Sequence, residues 1–138
     1  MRPEIIINSL AFDAMITHCR DGLPMEACGY LGGKDGEVSH CFPLTNTDSA
    51  SDHFTFDPKE QFATVKQARA LGIDLLGVFH SHPETPARLS AEDIRLFNDP
   101  HMQYWIVSFS KPSPEVGAFM LKKTPDSVDI TVVHIVIK

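Results

Sequence analysis

The stretch from Ile73 to Pro83, IDLLGVFHSHP, constrains the fold more than any other part of the sequence. It is a dense apolar run that ends in polar side chains and is closed by a proline. That pattern suits a central strand buried on both faces of a sheet. Pro83 has no N–H to give to a ladder, so the strand stops there and its last side chains sit at an open end. Alternation puts His80 and His82 on one face, about 6.6 Å apart at ~3.3 Å per residue, with Ser81 on the other.

The flanking sequence supplies the rest of an α/β (α+β) unit. Asn8 or Ser9 caps a helix that runs to about Arg20 and ends at Asp21-Gly22. Cys28–Gly33 and Glu37–Phe42 read as a hairpin turning at Lys34-Asp35-Gly36. Leu44 to Asp57 is polar and reads as a long loop of the kind that often carries function. Asp57-Pro58 opens a helix to Ala70, with Gly72 behind it. Ser90–Phe97 reads as a short helix, and Gln103–Ser108, Glu115–Lys122 and Val128–Ile137 as further strands. Helices and strands are interspersed around one mixed sheet.

With 138 residues the chain fits one domain, 1–138, and at this length roughly 68–70% of the unfolded surface is buried on folding. Net charge is −6 and the basic residues are scattered, which disfavours a nucleic-acid partner. Cys19, Cys28 and Cys41 are odd in number and form no C-x-x-C pair, so they read as reduced thiols. The run Ile5-Ile6-Ile7 is far too short for a signal peptide or a membrane span. These features place the protein in the cytoplasm, with no membrane partner; its oligomeric state is not legible.

The chemistry-bearing residues are His80, His82 and, on the following helix, Asp93. Two imidazoles and a carboxylate form a three-ligand set that leaves a fourth tetrahedral position open, as catalytic zinc sites do; structural sites close with four ligands, usually including Cys. Each half also has an ordinary explanation. An H-x-H at a strand end is commonly incidental, and Ser90-x-x-Asp93 has the spacing of an N-terminal capping box. The two explanations of Asp93 are compatible. H-E-x-x-H is absent, as is the H-x-E with P-C-x-x-C of the zinc deaminases, and the chain is too short for a (β/α)₈ barrel.

The run His80-Ser81-His82-Pro83, six residues, then Ser90-Ala91-Glu92-Asp93 resembles the JAMM (MPN+) metalloprotease motif, H-[ST]-H-P-x6-S-x-x-D. Upstream, Pro24 to Gly33 is similar to that family's P-x-E-x-C-G-x-L-x-G segment, which contains its glutamate. The resemblance implies a mixed sheet flanked by helices in a three-layer, cytidine-deaminase-like architecture. It implies one Zn²⁺ per chain on His80, His82 and Asp93, Glu26 as general base and then acid, and Ser90 as an oxyanion donor. It also implies hydrolysis of a peptide or isopeptide bond after the C-terminal glycines of a ubiquitin-like protein. The small size and the loop from Leu44 into Asp57-Pro58 resemble prokaryotic members acting on sulfur-carrier proteins. Two alternatives stay open: a metal-free MPN-type scaffold, and a RadC-like protein associated with DNA repair, whose H-N-H-P-S-G differs from the sequence here. His53 lies in the polar loop as a possible substrate contact; His18, His40, His101 and His134 receive no role. Trp105, Phe109 and Phe119 read as core aromatics.

Overall fold

A computed structural model describes residues 3–138. Its elements are β1 (Glu4–Ile7), α1 (Ser9–Asp21), β2 (Cys28–Lys34), β3 (Glu37–Leu44), α2 (Pro58–Leu71), β4 (Asp74–His82), α3 (Ala91–Leu96), β5 (Gln103–Ser108), β6 (Glu115–Lys123) and β7 (Val128–Ile137). The strands form one mixed sheet in the order β1-β3-β2-β4-β5-β6-β7, which closes as β7 returns to β1. The β1/β3, β1/β7 and β4/β5 pairs are parallel and the others antiparallel. The expected mixed sheet with flanking helices is therefore present. The closure is an addition: β1 was not assigned from sequence, because three isoleucines are too few to declare a strand without the partners that pair with them.

Capping residues set the helix ends. Asn8 Oδ1 accepts from Ala11 N at 2.7 Å, Asp57 Oδ1 accepts from Lys59 N at 2.9 Å, and Gly72 ends α2 with φ +70°. Asp35 and Gly36, both at positive φ, make the tight β2–β3 turn.

The sheet has a hydrophobic cluster on each face. On one, Met15, Ile16 and Cys19 of α1 pack with Ile5, Ile7, Leu31, Phe79, Trp105 and Val107. On the other, Tyr30, Phe42, Val78, Tyr104 and Leu121 pack with Ala68 of α2 and Phe97 at the end of α3. Trp105 is fully buried, whereas Phe109 lies one residue past β5 and packs at the cluster's margin. Alternation along β4 sends Phe79 to the α1 side and Val78 to the other. His80 and His82 share the Val78 face, and β4 ends at His82, immediately before Pro83, so that both belong to it. No helix among the described residues is long and apolar enough to cross a membrane.

Candidate active site

The site is assembled by the antiparallel register between β2 and β4, in which Cys28 pairs with His80. The register continues past the end of β2. Ser81 N donates to Ala27 O at 3.0 Å, and Ala27 N donates to Ser81 Oγ at 2.8 Å. Glu26 is thereby set across from His82, and it is buried, at 7% exposure. Its main chain is pinned from the other side by the 44–57 loop: Glu26 N donates to Ala50 O at 2.7 Å, and Asn46 Nδ2 donates to Glu26 O at 3.0 Å.

His80, His82 and Asp93 converge. The two Nε2 atoms lie 3.0 Å apart, His80 Nε2 is 3.2 Å from Asp93 Oδ1, and His82 Nε2 is 3.1 Å from Asp93 Oδ2. All three side chains are buried. His82 Nδ1 lies 2.9 Å from Pro86 O. A carbonyl only accepts, so Nδ1 carries the hydrogen and the neutral ring presents a lone pair at Nε2. Ring nitrogens and a carboxylate brought this close need a shared proton or a cation among them. Donors held at 2.0–2.1 Å around a tetrahedral zinc are about 3.3 Å apart, close to the separations seen. The donor set is thus compatible with a bound metal ion.

Ser90 caps α3. Its Oγ accepts from Asp93 N at 3.0 Å, and Ser90 N donates to Asp93 Oδ2 at 3.0 Å. The capping box and the histidine contacts coexist, because Asp93 Oδ2 serves both Ser90 N and His82 while Oδ1 faces His80. With its acceptor side engaged, the Ser90 hydroxyl keeps its own hydrogen to donate, and it lines a cleft with Glu26 and His82.

Residues 9–122 match the family described as prokaryotic homologs of the JAB domain. The chain belongs to that family. It is 29% identical over 110 residues to the CysO-cysteine peptidase of Mycobacterium tuberculosis, covering 78% of this chain and 75% of that one. To the desampylase of Haloferax volcanii it is 30% identical over 105 residues, covering 71% and 76%. A solution structure of a protein from Desulfitobacterium hafniense superposes with a TM-score of 0.84 at 45% identity, covering 97% of this chain and 92% of that one.

In this JAB domain the electrostatics follow burial and the cluster. Burial, with Asp93, Glu92 and Asp52 adding to it against the pull of His82, pushes the Glu26 carboxyl up to about 8. A carboxylate poised near neutrality suits proton transfer in both directions. Burial acts to raise the Asp93 carboxyl too, but the contacts from His80, His82 and Ser90 N–H outweigh it and hold Asp93 well below the usual carboxylate range. Burial lowers His80, against the raising contact with Asp93. For His82 burial acts downward as well, yet Asp93 and the Pro86 carbonyl leave it raised.

All five residues singled out from the sequence meet at this site. Four others there were not foreseen. Pro86 orients His82. Phe54 stacks on the His80 ring at 4.9 Å between centroids, and Phe97 meets it edge-on at 5.5 Å. Asn46 makes four hydrogen bonds: Nδ2 donates to Glu26 O and His53 O, and Oδ1 accepts from Asp48 N and Thr55 N. The available signal for Phe54 was an apolar residue in an otherwise polar stretch; Asn46 had none. His53 lines a cleft with Glu26, and its ring is held by Asp48 at 3.2 Å and Asp52 at 3.1 Å. His18 has a structural place, its Nε2 lying between Cys28 O and Leu44 O at 3.0 and 3.1 Å.

Proposed function

We propose that this chain is a zinc-dependent peptidase that hydrolyses the peptide or isopeptide bond after the C-terminal glycines of a ubiquitin-like sulfur-carrier protein. The observation that carries the reading is the convergence of His80, His82 and Asp93 beside Glu26, in a family with members named as a CysO-cysteine peptidase and a desampylase. His80, His82 and Asp93 would hold the metal, which would lower the pKa of a water toward ~7 and polarise a carbonyl.

The protein's own groups do the rest. Glu26 takes a proton from the attacking water as its oxygen bonds to the scissile carbonyl carbon. Ser90 donates to the oxygen on which negative charge develops. As the C–N bond breaks, Glu26 delivers the proton to the leaving amine, so atoms and charge balance and the carboxylate is restored. Such chemistry belongs in the cytoplasm, where the free thiols Cys19, Cys28 and Cys41 fit the reducing conditions.

The test is metal analysis and mass spectrometry on a carrier protein that extends beyond its Gly-Gly. Wild type is expected to hold about one zinc per chain and to trim the carrier, while His82→Ala loses metal and activity together. Zinc below about 0.2 equivalents in gently purified wild type, with no trimming, would favour the metal-free scaffold.

A further inference from the structure

Among the described residues, two clefts touch both Glu26 and the metal-binding cluster, and they differ in chemistry. One, of about 260 Å³, is lined chiefly by polar residues, Ser51, Asp52, His82, Glu84, Thr85 and Ser90 beside Glu26. The other, of about 270 Å³, is walled by Phe54, Phe56, Val78, Leu96, Phe97 and Tyr104; its polar lining includes Glu26, Glu92 and Asp93.

We propose that the aromatic cleft binds the bulky apolar side chain of the first residue after the scissile bond, the residue that departs with the amine. This rests on the peptidase reading above. The carbonyl oxygen must face Ser90, which sets the scissile bond beside Glu26, a residue that lines both clefts. The fit of the side chains then assigns the acyl half to the polar side and the leaving half to the aromatic side. Glycines, which end the acyl half, have no side chain with which to fill an apolar cavity. An apolar cavity of about 150 Å³ holds a benzene ring, so this cleft has room for a phenyl or isobutyl group with its methylene.

The wall is preformed. Phe97 stacks face to face on Tyr104, with centroids 4.2 Å apart and planes 4° from parallel, and Phe54 packs against Phe56 at 5.4 Å.

The test uses zinc-loaded protein and peptides ending in Gly-Gly-X-Ala, with X as Phe, Leu, Ser or Asp. kcat/KM is expected to be on the order of 10- to 100-fold higher for Phe and Leu than for Ser. Leu96→Arg, at a half-exposed cleft position, should bring that ratio close to one. Binding is read separately by NMR. Phenylalanine amide should shift the Phe54 and Leu96 signals of wild type but not the Phe54 signal of Leu96→Arg, and serine amide should shift neither.

Cleavage with no preference among the four peptides, or phenylalanine amide leaving the cleft signals unmoved, would overturn the assignment of the cleft while the peptidase reading stands. Binding in the cleft without cleavage of any peptide would overturn the peptidase reading and keep the binding site.

Discussion

Replacing Glu26 with Gln should make the metal-free protein more stable and leave the zinc-loaded protein inactive. Burial pushes the Glu26 carboxyl from the ordinary 4.5 to about 8. Because its folded value is raised, the folded state holds the proton more tightly than the unfolded chain. Its contribution is therefore complete below pH 4.5 and is lost as pH climbs to about 8. At about 1.4 kcal/mol per pH unit, that interval has a ceiling of about 5 kcal/mol. Water reaching the carboxylate from the clefts it lines screens part of this, so about 2–3 kcal/mol is expected at pH 8. Gln keeps the shape and cannot ionise.

The assay is thermal unfolding of wild type and Glu26→Gln in chelator, at pH 5 and pH 8. At roughly 3–5 °C per kcal/mol for a chain of this length, the variant should melt about 6–15 °C higher at pH 8 and within a few degrees of wild type at pH 5. Equal melting temperatures at pH 8 would refute the claim that this carboxylate is held at the expense of the fold. Residual hydrolysis above about a tenth of wild type in the zinc-loaded variant would refute its role as the base.

Ser90→Ala should keep its metal and lose about 10²–10³ in kcat, together with about 1 kcal/mol of stability from the lost cap; turnover and unfolding measured on one preparation separate the two roles. Asn46→Ala removes four hydrogen bonds and should cost about 2–4 kcal/mol; it should also lower kcat by about tenfold or more through misplacement of Glu26, with zinc content by mass spectrometry unchanged. Gly29→Ala should destabilise by about 3 kcal/mol in denaturant titration, because its Cβ would press on the Phe79 ring and lie 2.5 Å from Phe42 O, a backbone atom of the paired strand.

Much of the His80, His82 and Asp93 cluster was legible because its geometry is local. A period of two aligns His80 with His82, and the capping spacing of Ser90 and Asp93 fixes the start of α3. The approach of Glu26 was visible by resemblance alone: it depends on how β2 registers against β4, which no local pattern states. β1 was hidden for the same reason, since Ile5 and Ile7 gain meaning from pairing with a strand at the far end of the chain. The aromatic neighbours of His80 come from the loop and from the end of α3, and their meeting is a product of tertiary packing. His82 is steered by a hydrogen bond at Nδ1, whereas His80 Nδ1 is buried without a partner among the described residues, and Phe54 and Phe97 pack on that ring instead.

The four bonds of Asn46 join the Glu26 main chain and the loop that walls the aromatic cleft through one side chain. A keystone of that kind couples its two neighbours: displacing the loop at Asn46 drags the Glu26 backbone, so a change there is felt on both sides at once.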